Sequence, residues 1–244
     1  MRLTVLGNPG RYLAPYAGGS GYLVEAEGKR VLLDCGAGVH ASLQRLQVPA
    51  PLDAVVLSHF HHDHASDLVA VRAALGKGTK LFVPPGERAR LEALAQAFVF
   101  KNEGFTTDAT VVEANRDEPF QVGALRLRFA PTQHSAPSMA TRMEGDGKVL
   151  VYASDSAPCD PLRRAAEGAD LLLMHALLPT VDPTSDHARI HATAATAAAL
   201  GVAAGARRLL LSHRYHESRD ADMLYEARMH PGLALARELA SYDA

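Results

Sequence analysis

The sequence predicts an α/β fold of four layers, an αββα sandwich in which two packed β-sheets carry helices on their outer faces. Three observations lead there. The chain has 244 residues, enough to bury a sizeable core as one domain spanning residues 1–244. Hydrophobic residues make up 48%, charged residues 21% and aromatics 6%, with no Trp, a balance that excludes disordered and fibrous classes. Strand-like and helix-like runs alternate throughout, with no repeat, low-complexity linker or charge block to divide them, which fits a two-sheet core with helices outside.

The elements follow in order. Residues 2–6, 21–26 and 29–34 read as strands, the last two joined by the turn pair Glu27-Gly28. Apolar positions at helical spacing predict a helix over 39–46, ended by Pro49 and Pro51. Residues 54–58 form a short continuous apolar run of the kind buried on both faces. A helix over 66–75, a strand over 80–83 and a helix over 86–97 come next. The middle is mostly β, at 110–113, 120–122, 125–129, 140–144 and 149–153, the last two joined by Gly145-Asp146-Gly147. The pattern closes with a helix over 161–167, a strand over 169–174, a helix over 191–203, a strand over 207–211 and a helix over 220–229.

Composition also narrows the function. Lys and Arg total 25 against 27 Asp and Glu, a formal charge of −2, whereas proteins that grip nucleic-acid backbones usually carry a net basic surface. No apolar run approaches the ~20 residues of a membrane span. The first seven residues read as a strand and turn rather than a secretion signal, so cytoplasmic residence is expected. Two cysteines, Cys35 and Cys159, are too few for a disulfide framework or a thiolate metal cage.

Twelve histidines stand out, and their placement matters more than their number. Leu57-Ser58-His59-Phe60-His61-His62-Asp63-His64 sets four imidazoles and a carboxylate at the end of the buried 54–58 strand. Strand alternation puts His59 and His61 on one side, and the following turn can swing Asp63 and His64 toward a second point nearby. Neutral imidazoles with carboxylates are a ligand set for Zn²⁺ and for Mn²⁺. A histidine-rich surface loop without metal is the competing reading, and the clustering after an apolar strand weighs against it.

His59-Phe60-His61-His62-Asp63-His64 resembles the His-x-His-x-Asp-His signature of the metallo-β-lactamase superfamily. Four further segments carry the likeness along nearly the whole chain. Leu33-Asp34-Cys35-Gly36 is similar to the family's Leu-Asp-x-Gly strand end. Thr132-Gln133-His134-Ser135 is similar to the next ligand segment. Tyr152-Ala153-Ser154-Asp155-Ser156 is similar to the Tyr-x-Gly-Asp-Thr stretch, and Leu209-Leu210-Leu211-Ser212-His213 to the last ligand segment. The resemblance implies His59, His61 and His134 on one metal ion, Asp63, His64 and His213 on a second, and Asp155 bridging them. It implies two divalent ions per chain, Zn²⁺ first and Mn²⁺ second, and a homodimer. Asp34 is expected behind a histidine, orienting its N–H. Cys35 reads as packing, and His62 as turned away from the ions.

Two divalent ions about 3.5–4 Å apart supply hydroxide at neutral pH and polarise a substrate oxygen, so hydrolysis is the expected chemistry. Asp63 and His191 are the residues expected to serve it directly. His191-Ala192-Thr193-Ala194 resembles the His-Ser-Thr-Ala helix start of the ribonuclease Z-like branch, whose histidine contacts the scissile phosphate. A helix N-terminus attracts phosphate oxygens and an imidazole can donate a proton; a mere cap is the alternative. That branch carries a glutamate in a His-Glu-Ala-Thr segment, whereas this chain has His175 in Met174-His175-Ala176-Leu177. His175 therefore reads as a hydrogen-bonding partner, a substrate contact or a buried histidine.

The long Gly- and Lys-rich insertion that grips tRNA in the branch has no counterpart here, and residues 136–155 hold a tight hairpin instead. With the charge of −2, this favours the short-form members and a small or cyclic phosphodiester, or a short nucleic-acid end, over tRNA. Arg11, Tyr12 and Tyr16 in the 9–21 loop, together with Arg142, Arg214, His216 and His187, are further candidates for substrate contact, with solvated loop as the default for the first three. Thioester or lactone hydrolysis in the same superfamily is the runner-up, and a metal-binding scaffold without turnover is the non-enzymatic reading. β-Lactam hydrolysis ranks last, because Asp63 takes a second-site position and no secretion signal is seen.

Overall fold

Fourteen strands form two seven-stranded sheets in the computed structural model, which describes residues 1–8, 18–98, 105, 109–114, 118–215 and 217–244. The first sheet holds β1 (Arg2–Gly7), β2 (Gly21–Ala26), β3 (Lys29–Leu33), β4 (Ala54–Val56), β5 (Lys80–Val83) and β6 (Thr110–Glu113) side by side. The second holds, in chain order, β7 (Phe120–Val122), β8 (Leu125–Pro131), β9 (Met139–Gly145), β10 (Lys148–Tyr152), β11 (Leu171–His175), β12 (Arg208–Ser212) and β13 (Leu233–Leu235). The last strand, β14 (Ser241–Asp243), returns to the first sheet and pairs antiparallel with β1.

Each sheet is antiparallel on one side and parallel on the other. The parallel strands β3 to β5 and β10 to β12 are covered on both faces, which is why they read as unbroken apolar runs such as Leu171-Leu172-Leu173-Met174. By contrast, β8 alternates, with Leu125, Leu127 and Phe129 buried and Arg128 exposed, as a strand with one solvated face must.

The two inner faces meet around Tyr22, Phe82, Phe129 and Tyr152. One outer layer packs Leu43, Leu68 and Leu91 from helices onto the first sheet. The other packs Leu162, Ala197, Ala198 and Met223 onto the second. Four layers result, as the patterning predicts.

The halves repeat one device. Asp53, just before β4, accepts from the main-chain N–H of Arg30 in β3 and from Lys29 Nζ, both at 2.9 Å. Asp170, just before β11, accepts from the main-chain N–H of Val149 in β10 at 2.9 Å and from Lys148 Nζ at 3.3 Å. Each carboxylate pins the start of a parallel pair. No sequence repeat announces this likeness.

Three expectations are corrected. The helix expected over 66–75 starts earlier and is broken into His62–Ala65, Leu68–Val71 and a 3₁₀ turn Arg72–Ala74. The helix expected from His191 begins at Ala194, capped by a reciprocal Thr193–Thr196 capping box. A separate helix, Asp186–Ile190, precedes it. The strands β13 and β14 were not expected, since three residues are too short to show a period of two. Among the described residues no helix is long and apolar enough to cross a membrane.

The C-terminal ends of β3, β4, β8, β10, β11 and β12 deliver Asp34, His59, His134, Asp155, His175 and His213 to one region. Asp34, Ser154 and His213 all have φ of 56°. Non-glycine residues there cost roughly 1–3 kcal/mol each and persist where the surroundings hold them.

Candidate metal centre

Asp155 lies at the middle of the cluster, 2% exposed. Its Oδ2 faces His134 Nε2 at 3.7 Å and His59 Nε2 at 4.0 Å. Its Oδ1 faces His213 Nε2 at 3.3 Å and His64 Nε2 at 3.7 Å. The carboxylate thus divides two donor groups. His61 completes the first, with Nδ1 at 3.1 Å from both His59 Nε2 and His134 Nε2. Asp63 completes the second, with Oδ2 at 3.5 Å from His213 Nε2 and 3.6 Å from His64 Nε2.

The outer nitrogens show which inner ones carry lone pairs. His134 Nδ1 can only donate to the carbonyl of Ile190, at 3.1 Å, which leaves Nε2 unprotonated in the neutral ring. His64 Nδ1 donates to Asp34 Oδ2 at 2.7 Å. Ser58 Oγ gives its proton to the same oxygen at 2.7 Å, so His59 Nδ1 donates to Ser58 Oγ at 3.0 Å. His213 meets Ser20 Oγ through Nδ1 at 2.8 Å. Asp34, buried, also takes the Ser58 main-chain N–H at 2.6 Å and the Tyr152 hydroxyl. It stands behind His59 and His64, outside both donor groups.

These donors fit divalent cations. Around an ion bonded to nitrogen at 2.0–2.1 Å, tetrahedral donors lie about 3.3–3.4 Å apart, close to the spacings seen here. His64 Nε2 is buried with no hydrogen-bond partner, although it points at two carboxylates. A cation would satisfy it.

Electrostatics agree. Burial pushes His59 and His64 well below the ordinary imidazole range and lowers His61, keeping them neutral. Burial would raise Asp155, but His213 beside it holds it well below the usual carboxylate range. Burial would lower His213, yet Asp155 overrides it and raises the imidazole. The field that draws a proton onto His213 would equally hold a cation.

His191 reaches the same centre differently from expectation. It terminates the Asp186–Ile190 helix with extended backbone, two residues before the Thr193 cap, so it does not open the following helix. Its Nδ1 lies 3.7 Å from Asp155 Oδ2 and its ring 4.9 Å from that of His134. Burial pushes it down to about 3. His187 packs against it, ring centroids 4.9 Å apart and planes tilted by 32°. His191 and His187 line a cavity of about 380 Å³ with Leu177, Ile190 and Tyr215, open beside His61 and Asp63.

His175 meets Asp155 Oδ1 through Nδ1 at 2.6 Å, the hydrogen-bonding partner among the three readings of the sequence. His62 stands exposed at the rim. Cys35 is buried packing, and Cys159 lies apart with Ser156 Oγ at 3.8 Å. Two anion-contact candidates are committed elsewhere: Arg142 binds Glu144 and the carbonyls of Ala165 and Glu167, and Arg214 pairs with Asp220. Arg11, Tyr12, Tyr16 and His216 lie outside the described residues. Sequence reasoning missed Ser20, Tyr22, Ser58 and Tyr152 as partners of the cluster. Only Ser58, flanking the histidines, had a positional signal.

Comparison with known proteins accords with this geometry. The β-lactamase superfamily domain matches residues 29–214. A probable metallo-hydrolase of Bacillus subtilis (strain 168), YhfI, is 31% identical over 223 residues, covering 88% of each chain. The crystal structure of YhfI superposes with a TM-score of 0.84 at 26% identity, over 99% of both chains. Ribonuclease Z of Mycobacterium bovis (strain BCG / Pasteur 1173P2) is 29% identical over 239 residues, covering 87% of this chain and 85% of its own. A diphosphatase from the PhnP family shares the fold, with a TM-score of 0.80 at 18% identity, covering 100% of this chain and 97% of its own. With a His/Asp metal-binding cluster at its strand ends, the chain belongs to the metallo-β-lactamase superfamily, among the metallo-hydrolases of its ribonuclease Z-like branch.

Proposed function

We propose that this chain is a dinuclear metal-dependent phosphodiesterase acting on a small or cyclic phosphodiester or a short nucleic-acid end. The observation that carries the reading is the division of Asp155, Oδ2 toward the His59, His61 and His134 group and Oδ1 toward the Asp63, His64 and His213 group. Nitrogen-rich groups of this kind suit Zn²⁺ first and Mn²⁺ second. When bound, two such ions supply hydroxide at neutral pH and charge to polarise a phosphoryl oxygen.

The residues around them do the rest. Asp34, Ser58, Ser20 and the Ile190 carbonyl fix the rings. Asp63 belongs to the second group and faces the cavity. His191, neutral and enclosed on the cavity wall, is the side chain placed to hydrogen-bond a phosphoryl or leaving-group oxygen. The cavity of about 380 Å³ suits a small substrate. Ribonuclease and diphosphatase, the names of two relatives, denote cleavage of phosphate linkages in those proteins. Since a ribonuclease Z is among them, the net charge gives no ground for excluding tRNA. One domain over 1–244, cytoplasmic residence and a homodimer belong to the same reading, the last checked by light scattering.

The test is a panel on protein loaded with Zn²⁺ or Mn²⁺: bis-p-nitrophenyl phosphate, a 2′,3′-cyclic nucleotide, a tRNA precursor, a glutathione thioester and an acyl lactone. Turnover of the phosphate substrates is expected. Activity confined to the thioester or lactone overturns the phosphodiester assignment. Fewer than one ion per chain with no turnover overturns the dinuclear enzyme and leaves a scaffold without catalysis.

A further inference from the structure

His175 ends β11 at 2% exposure and lies flat against His213, ring centroids 4.3 Å apart and planes 13° from parallel. Its Nδ1 is 2.6 Å from Asp155 Oδ1. On the other side, Nε2 is 3.3 Å from the Tyr22 hydroxyl, itself 2.5 Å from Ser212 Oγ. With His64, Asp155 and His213 it could count as another cation ligand.

The distances argue otherwise. Two donors bonded to one ion at 2.0–2.2 Å but only 2.6 Å apart would subtend about 75°, far below a tetrahedral angle. The other donor pairs around Asp155 stand between 3.1 and 4.0 Å apart. A separation of 2.6 Å is that of a charge-assisted hydrogen bond. Nδ1–H therefore donates to Oδ1, and Nε2 accepts from the Tyr22 hydroxyl. Tyr22 oxygen in turn accepts from Ser212. Every group in the chain Ser212–Tyr22–His175–Asp155 is then satisfied in one direction.

We propose that His175 is a positioning residue of the metal centre: its Nδ1–H fixes the rotation of the Asp155 carboxylate, so that Oδ2 serves one cation position and Oδ1 the other. Without that bond the carboxylate can turn about its terminal torsion and give both oxygens to one position. The second position, which depends on Oδ1, then weakens. This rests on the reading of the cluster as a two-cation site.

The test is stepwise Zn²⁺ titration of the full chain by calorimetry against a competing chelator. In His175→Leu the second ion should bind about 10- to 100-fold more weakly, the usual scale for a lost partner behind a ligand, with the first unchanged. His175→Asn, whose amide N–H can take the place of Nδ1–H, should recover most of that loss. In the zinc-loaded wild type, ¹H–¹⁵N spectra should show His175 protonated at Nδ1 and bare at Nε2, a measurement independent of any variant. Two ions bound by His175→Leu as tightly as by wild type, or a bare Nδ1 in the loaded protein, would overturn the assignment. A wild type that binds no zinc would remove the two-cation reading and this inference together.

Discussion

A β-carbon on Gly36 would come 2.1 Å from the main-chain oxygen of Asp63. That oxygen already accepts from the Ser20 N–H at 2.8 Å, and the Cys35 N–H donates to the His64 carbonyl at 2.7 Å. The Asp-Cys-Gly strand end is thus the bed on which the His62–Ala65 turn rests. Gly36→Ala must push that turn away, displacing Asp63 and His64 together. We expect a loss of ~1–3 kcal/mol, as for other overpacked sites, and of one bound cation per chain. Chemical denaturation and metal analysis check both, and a variant that keeps wild-type values of each would refute the account.

Ser154 holds φ at 56° one residue before Asp155, and its buried hydroxyl has no hydrogen-bond partner. The family pattern has glycine there. Ser154→Gly relieves a left-handed backbone and an orphaned hydroxyl, each about 1 kcal/mol or more. It returns roughly 0.5–1 kcal/mol through the added freedom of the unfolded chain. A net gain near 1 kcal/mol is expected, seen as a melting temperature about 2–4 °C higher. A lower melting temperature would show that the serine contributes more than it costs.

Acid should weaken the two strand pins. Burial alone would raise Asp53 and Asp170, but the Arg30 or Val149 N–H and the nearby Lys29 or Lys148 hold each below the usual carboxylate range. A carboxyl depressed in the folded state binds its proton more readily when unfolded. Its stabilisation is therefore present above the unfolded value of about 3.9 and is lost as pH falls through the folded one. The double variant Asp53→Asn, Asp170→Asn should be less stable than wild type at pH 7, with the gap narrowing below about pH 4. Protonation of the cluster histidines affects both proteins and drops out of the difference. A gap independent of pH in urea titrations would remove the electrostatic account.

Much of the site was legible because its chemistry requires lone-pair donors at strand ends. His59 through His64 fall after an apolar strand, and His134, Asp155 and His213 each follow another. The resemblance supplied their grouping. What stayed hidden depends on contacts across the sandwich. Tyr22 on β2 reaches His175 on β11, and Tyr152 on β10 reaches Asp34 after β3, yet nothing near these tyrosines marks a polar partner more than a hundred positions away. The likeness to a His-Ser-Thr-Ala helix start puts His191 at the opening of the helix, whereas the helix opens at Ala194. The Thr193–Thr196 cap decides the boundary, and a threonine in an alanine-rich run carries little signal.

The division of Asp155 between two donor groups makes cation occupancy and stability one measurement. Ring nitrogens facing each other at 3.1 Å, as between His59 and His61 and between His134 and His61, are held together at a cost that a bound ion offsets. Stripping the protein with a chelator should lower its melting temperature. Restoring free Zn²⁺ to about a hundred times its dissociation constant should return roughly 2.7 kcal/mol per site. Asp155→Ala should bind at least one ion fewer, recover correspondingly less on zinc addition, and turn over substrate at the uncatalysed rate. His213 would lose the carboxylate that raises it and titrate lower, followed by its ring proton shifts. If Asp155→Ala kept two ions and the wild-type rate, this carboxylate would not join the two positions, and the dinuclear reading would fail with it.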